Sequence, residues 1–284
     1  LYEAGLPHYM LSTLLGPTKE IAEPLVKDPR VDIVSFTGSV AVGKHIASSV
    51  GYKKVILELG GNDPLIIMED ADMDTAVHLA AEGSFRNSGQ RCTAVKRILI
   101  HEKIKDAFLE KFLEKAKTYT CGDPADPETK VGTVIDEPAA IYLESVVNKA
   151  VEQGAKVLLG GKRNGALLEP TVIDNVPRNA QMIVQESFGP LAPILTFKDI
   201  DDAIALSNST AYGLSSGIVT HNMDYALRFI KELKVGTVNI NEVPGYRIES
   251  SPFGGIKDSG LGIKEGVIEA MKCFTYVKTF SLPW

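Results

Sequence analysis

The first sixty residues alternate in a way that few folds can absorb. The apolar run Leu11–Leu15 stops at Gly16-Pro17 and reads as a strand. Thr18 is placed to cap a helix over Lys19–Lys27, which must close before Pro29. Val31–Phe36 reads as a second strand, Thr37-Gly38-Ser39 as a turn, and about Val40 to Val50 as a helix. Lys54–Leu59 reads as a third strand and ends at Gly60-Gly61. Strand, helix, strand, helix, strand is the mark of βαβ units, because parallel strands need a crossover between them. The expected fold class is α/β, beginning with part of a doubly wound parallel sheet.

The rest of the chain repeats these two patterns at longer spacing. Helices are expected over Asp74–Phe85, Lys103–Lys117, Pro138–Gln153, Asp199–Ser207, Met223–Leu233 and near Lys264–Met271. Strands are expected over Val95–Ile100, Lys156–Leu159, Ser216–Thr220, Val235–Ile240 and, at the end, Thr275–Ser281. With 284 residues, 44% hydrophobic and 23% charged, there is enough apolar material for a second packed domain. The net charge of −6 argues against a general nucleic-acid or acidic-membrane binder, since no basic surplus is left to neutralise phosphates. An anionic small molecule needs only one or two well-placed cations and stays open.

Three cysteines, Cys92, Cys121 and Cys273, form neither a disulfide framework nor a CxxC metal pair. A reducing compartment, the cytoplasm, is the simplest reading. No apolar run reaches the length of a membrane span. The chain opens without Met, so an earlier targeting segment stays open.

Cys92 lies in NSGQRCTAVKR, next to Arg91 and shortly before Lys96 and Arg97. Cations lower a thiol's pKa, and the thiolate is the reactive form, so this is where a nucleophile is expected. The plain alternative is an ordinary buried cysteine with basic neighbours. Cys121 and Cys273 read as structural fillers. Glu58 ends an apolar strand in VILELGG, either as a solvated strand end or as a carboxylate held at a cleft. Gly60-Gly61 would let a cofactor or another backbone come close. Gly38-Ser-Val-Ala-Val-Gly43-Lys44-His45 misses the phosphate-loop pattern at its last position, because His45 has no hydroxyl for Mg²⁺. What survives is a strand, a Thr-Gly-Ser turn and a helix whose free N–H groups suit a pyrophosphate. The histidines make no HxxxH or HExxH pattern, so no metal site is expected.

In combination these segments resemble the NAD(P)-dependent aldehyde dehydrogenases. The order FTGS (Phe36–Ser39) with Gly43, ELGG (Glu58–Gly61), GQRC (Gly89–Cys92), ESFGP (Glu186–Pro190), Asn239-Ile-Asn241 and PFGGIKxSGxG (Pro252–Gly262) follows that family along the whole chain. The resemblance implies Cys92 as nucleophile and Glu58 as the base that activates the deacylating water. It implies a cofactor site of Phe36, Thr37, Gly38, Ser39, Gly43, Leu59, Gly60, Glu186 and Phe188, with Glu186 on the nicotinamide ribose. The cofactor implied is NAD or NADP, NAD being favoured. Asn239 is expected in a strand reaching the site. Asn62 stands where many members have Lys.

The family also carries a longer N-terminal portion. The chain is therefore expected to be the C-terminal part of such an enzyme, with weak or absent turnover alone. The expected domains are 1–61, the rear half of the cofactor domain; 62–258, the catalytic domain; 259–274, a return to the cofactor domain; and 275–284, an oligomerisation strand. The resemblance implies a homo-oligomer, dimer or tetramer, and a small aldehyde as the other partner.

Arg91 and Arg247 are the candidate substrate residues. A guanidinium beside the nucleophile suits a phosphate or phosphonate, and the tail of the chain is most similar to phosphonoacetaldehyde dehydrogenases. The alternatives are an uncharged or phosphorylated aldehyde (lactaldehyde, glyceraldehyde 3-phosphate), a cysteine hydrolase with a His near Cys92, and a non-catalytic scaffold fragment.

Overall fold

A computed structural model describes residues 1–283. Two main sheets and one small hairpin share the chain. β1 (Ile33–Thr37) and β2 (Lys54–Glu58) pair in parallel, Ile33 opposite Lys54 and Thr37 opposite Glu58. The crossover between them is α2 (Val40–Ser49), preceded in sequence by α1 (Thr18–Lys27).

The second sheet begins at once after β2. Its strands are β3 (Pro64–Ile67), β4 (Arg97–His101), β5 (Lys156–Leu159), β8 (Thr171–Asp174), β9 (Leu191–Phe197), β10 (Ser215–Val219) and β11 (Thr237–Ile240). A small hairpin, β6 (Arg163–Asn164) with β7 (Leu167–Leu168), sits apart. The seven strands lie in the order β11-β10-β3-β4-β9-β8-β5, all parallel except β5 against β8. Helices α3 (Met73–Phe85), α4 (Lys105–Lys117), α5 (Glu137–Glu152), α6 (Gln181–Val184), α7 (Ile200–Asn208) and α8 (Met223–Glu232) cover it; α9 (Val267–Cys273) comes last.

Alternation along the central strands explains this layering. Ile66 and Leu99 point into one core, with residues of α5, α6, α7 and α8. Leu65, Ile67, Ile98 and Ile100 point into the other, with α3 and α4. Strands buried on both faces read as continuous apolar runs, as PLII and RILIH do. The two-stranded unit has a core of only Ile46, Val50, Leu57 and Leu59. The chain returns to it late: Leu59 N–H donates to the Ser259 carbonyl at 3.1 Å, and Glu58 bridges Gly260.

Several expectations need correction. Leu11–Leu15 is irregular and largely exposed, since no neighbouring strand is present among the described residues to complete its ladder. The cap of α1 is Pro17, not Thr18, which is already helical and makes no capping bond. Residues 275–283 form no strand and leave Tyr276, Val277, Phe280 and Leu282 exposed; Trp284 lies outside the described residues. An isolated segment has nothing to pair with, whatever its propensity. The central strand β3 was not anticipated. It is short and opens on Pro64, where a missing N–H is tolerated. Strands β8 and β9 were also not anticipated. Among the described residues no helix is long and apolar enough to cross a membrane.

Candidate active site

The loop carrying Cys92 is held in an unusual backbone. After α3 ends, Asn87 (φ 55°), Ser88 (φ 53°) and Gly89 (φ 67°) all lie in the left-handed region. Each of the two non-glycine residues costs about 1–2 kcal/mol there. The surroundings hold the turn in place. Ser88 Oγ donates to the Gly132 carbonyl at 3.0 Å, and Asn87 Nδ2 to the Gln90 carbonyl at 3.2 Å. Gln90 is clamped twice, donating to the Thr133 carbonyl at 3.3 Å and accepting from Ile135 N–H at 2.8 Å. At Gly89 a Cβ would fall 2.1 Å from the Gly189 carbonyl oxygen, so the turn seats directly on the ESFGP loop.

Cys92 then lines a cleft of about 420 Å³. Gln90, Arg91, Glu186 and Phe188 line it from the same side, and Thr37, Gly38, Ser39, Glu58, Leu59 and Gly60 from the two-stranded unit. The thiol and the carboxylate singled out in the sequence therefore share one space. The other two proposed cofactor residues lie behind it. The Phe36 ring backs Gly38, and Gly43 packs on Leu59; in each case a glycine Cβ would meet the neighbour at 2.4 Å. None of the histidines lines the cleft.

Glu58 is 7% exposed, and neither carboxylate oxygen has a hydrogen-bond partner among the described residues. Burial pushes its pKa up to about 8; Glu265 adds to the shift, while Lys264 and Arg247 oppose it. An unpartnered carboxyl that titrates near neutrality, on the wall of a cleft, is suited to take a proton from water.

The two glycines after Glu58 make room for the protein's own groups. A Cβ on Gly60 would sit 2.1 Å from Glu186 Oε2, and one on Gly61 2.6 Å from the Cys92 carbonyl oxygen. Glu186 Oε1 accepts from Gly61 N–H at 3.1 Å. The nucleophile loop, the ELGG strand end and the ESFGP loop thus meet at one point.

The cations near Cys92 do not act as the sequence suggested. The thiol pKa is raised, burial being the largest cause. Lys96 opposes that rise, and Asp63 and Glu186 add to it. Arg97 faces the other way: its guanidinium is buried against the carbonyls of Asn62, Leu206 and Ser207, at 2.8, 3.0 and 3.1 Å. Neighbouring residues in extended backbone point to opposite sides, so two adjacent cations cannot both serve one sulfur. Arg91 donates through Nη2 to the carbonyls of Glu82 and Gly83 at the end of α3, at 3.3 and 3.1 Å. Both carbonyls also accept a backbone N–H, from Arg86 and Val95, so Arg91 adds a second donor and complements the helix dipole. Its Nε is buried without a partner.

Arg247 does not line the cleft. Its guanidinium stacks 4.7 Å from the Phe253 ring centre and lies 4.0 Å from Glu265. Cys121 and Cys273 sit half-buried, their thiols near the carbonyls of Leu168 and Lys264 at 3.6 and 3.8 Å. Asn239 staples the loop before PFGG, donating to the carbonyls of Val243, Pro244 and Tyr246 at 3.0, 3.1 and 3.0 Å. Asn62 is buried and bonds the Ile183 carbonyl at 2.8 Å.

A profile of the aldehyde dehydrogenase family matches residues 1–280. The chain belongs to that family. It is 40% identical to a sulfoacetaldehyde dehydrogenase of Neptuniibacter caesariensis over 278 residues, 98% of this chain and 60% of the relative. It is 39% identical to a lactaldehyde dehydrogenase of Methanococcus aeolicus, over 96% of this chain and 58% of that one. The crystal structure of glyceraldehyde-3-phosphate dehydrogenase GapN from Methanocaldococcus jannaschii, complexed with NADP, superposes with a TM-score of 0.90 at 41% identity, over 93% of this chain and 57% of that chain. The chain thus spans somewhat under two thirds of the length of these relatives.

The residues the family resemblance implies for NAD or NADP sit around this cleft. Ser39 caps α2 by accepting from Val42 N–H at 3.4 Å, and the helix N-terminus opens at the cleft rim. The carboxylate of Glu186 and the ring of Phe188 lie across from it. Two features of the site, Gln90 and Asp63, were missed in the sequence, and a third, Lys96, was singled out but with the wrong placement. Gln90, inside GQRC, pins the loop. Lys96 is buried beneath Cys92 rather than beside it. Asp63 is wholly buried, with burial pushing its pKa up to about 7. A charged residue two positions after ELGG, directly ahead of an apolar strand, was the available sign of Asp63.

Proposed function

We propose that this chain carries the reacting half of an NAD(P)-dependent dehydrogenase that oxidises a small anionic aldehyde, phosphonoacetaldehyde in particular, to its carboxylate. The observation that carries the reading is the convergence of Cys92 and Glu58 on one cleft below the N-terminus of α2. The Cys92 thiolate adds to the aldehyde carbon, forming the S–C bond and an oxyanion. The Cys92 backbone N–H, which has no acceptor among the described residues, points to that oxyanion's needs. NAD or NADP, when bound, supplies the hydride acceptor that takes the adduct to a thioester. Glu58 takes a proton from water as the water attacks the thioester carbon, and the carboxylate leaves as Cys92 regains its thiol.

The anionic substrate class is supported by Arg91 in the cleft lining and by relatives named for sulfoacetaldehyde and glyceraldehyde 3-phosphate. A second reading, an uncharged aldehyde such as lactaldehyde, is favoured by the engagement of Arg91 with the α3 carbonyls. The test is an aldehyde panel with NAD and with NADP. It is run on the chain alone and on the chain joined to the N-terminal portion of the sulfoacetaldehyde relative. Arg91→Leu is expected to cost phosphonoacetaldehyde kcat/KM about 100-fold more than lactaldehyde, as loss of a charge-assisted contact to an anion would. An equal loss on both removes the anion reading.

A further inference from the structure

Lys96 is 2% exposed, and its ammonium makes two hydrogen bonds and one ion pair. Its Nζ donates to the carbonyls of Arg91 at 2.7 Å and Cys92 at 2.8 Å, and lies 3.2 Å from Glu186 Oε1. Glu186 is tied to Gly61, and the Gly61 backbone abuts the Cys92 carbonyl, so the contacts close a ring beneath the nucleophile. A buried ion pair of this kind stabilises a fold little, because desolvation offsets the attraction. What it does well is fix position and sign of charge. An apolar residue would fill the same space but would leave the Cys92 carbonyl without a donor and the Arg91 carbonyl with Ala94 N–H alone.

Arg91 donates to the α3 carbonyls, though it still attracts the Cys92 thiolate, and Arg97 faces the far side of the strand. Lys96 is the main cation that favours the thiolate, aided by Thr93 N–H. The groups facing Cys92 with the opposite effect are the Asp63 and Glu186 carboxylates.

We propose that Lys96 is the positioning residue of Cys92 and that Glu186 is its counterweight. The ammonium holds the loop by two carbonyls and carries the charge that supports the sulfur; the Glu186 carboxylate draws part of that charge away. The inference rests on the reading of Cys92 as nucleophile, but its test needs neither aldehyde nor nucleotide.

The test is the pH profile of Cys92 alkylation by iodoacetamide in the full chain carrying Cys121→Ser and Cys273→Ser. Lys96→Met is expected to move the midpoint up by about one pH unit and to slow alkylation at pH 7 about tenfold. Glu186→Gln is expected to move it down and to speed alkylation severalfold. The double variant is expected to fall between the two. A role that is only structural moves accessibility but not two midpoints in opposite directions. Unmoved midpoints, or shifts of the same sign, overturn the proposal. If Lys96→Met does not fold, Glu186→Gln decides alone: a lower midpoint supports the proposal, and an unmoved or higher one overturns it. Alkylation as expected without aldehyde oxidation would instead count only against the proposed function.

Discussion

Cys92 stands on the loop that feeds the seven-stranded sheet, and Glu58 stands at the end of the two-stranded one. The two sheets differ in how much protein backs them. Strand β4 is buried along its whole length, between cores that draw on six helices. Strand β2 is buried only over its last three residues, and α1 buries no residue. Burial of apolar area is the main stabilising term in a fold, at roughly 25 cal/mol per Å². The thiol is therefore held by a rigid body, whereas the carboxylate is held by a thin one. The late strap at Ser259-Gly260 adds backbone pairing between β2 and the rest of the chain, beside the contacts of Gly60 and Gly61 with Glu186 and Cys92. The lesson is that left-handed backbone at Asn87 and Ser88 is affordable only where packing over-determines it.

Two glycines of nearly equal φ give the largest test of that contrast. Gly89 (φ 67°) lies on the thick side and Gly51 (φ 64°) on the thin side. Both replacements by Ala carry the same left-handed strain of about 1 kcal/mol. At Gly51 the new Cβ meets nothing within 4 Å, but at Gly89 it meets the Gly189 carbonyl at 2.1 Å and the Ser84 carbonyl at 2.9 Å. Neither backbone oxygen can yield cheaply. Gly89→Ala is expected to destabilise by more than about 3 kcal/mol in urea unfolding and to lower Cys92 alkylation at least tenfold, whereas Gly51→Ala costs about 1 kcal/mol. Equal costs would show that strain, not seating, governs the nucleophile turn.

The parts of this contrast that could be read in the sequence were those written in local chemistry. The βαβ alternation gave α2 and the parallel pairing of β1 with β2, because period and turn residues are local. Glu58 and Cys92 stood out by context, a carboxylate ending an apolar strand and a thiol outside any apolar run. Lys96 and Arg97 looked equivalent, since a sequence shows adjacency but not direction. Only the fold sends one under the sulfur and the other to the Leu206 and Ser207 carbonyls. Gly60 and Gly61 were legible as sites of close approach, yet what approaches Gly60 is the Glu186 carboxylate, far along the sequence. The central strand β3 was hidden by its brevity and its leading proline.

A smaller effect separates the two sides by pH. Glu58 on the thin side has its pKa pushed up from 4.5 to about 8, and Asp63 on the thick side from 3.8 to about 7. A carboxyl whose folded pKa is raised holds its proton longer when folded than when unfolded. The stability it confers is complete below the unfolded pKa and is lost as pH rises through the folded one. Each group lowers stability by up to about 1.4 kcal/mol per pH unit in its window. Both act from about pH 4.5 to 7, and Glu58 alone from 7 to 8. The midpoint of urea unfolding should therefore fall steeply with pH and level off above about 8. Asp63→Asn keeps an acceptor for Ser215 N–H (3.2 Å) and should halve the lower slope. Glu58→Gln should abolish the slope between 7 and 8. Wild-type stability that does not fall across this range would mean that the two carboxyls are already ionised in the fold.

The smallest effect is the most searching about cooperativity. Ser39 caps α2 with one long bond, 3.4 Å to Val42 N–H, at an exposed position. Ser39→Ala should cost about 0.5 kcal/mol, at the low end for a cap. That is too little to read in global unfolding but enough to read locally. If the two-stranded unit opens independently, amide exchange in β1 and β2 should quicken about twofold while β3 and β4 stay unchanged. The same twofold gain in β3 and β4 would mean that the strap at Ser259-Gly260 makes one cooperative body of both sheets, and that Glu58 is held as firmly as Cys92.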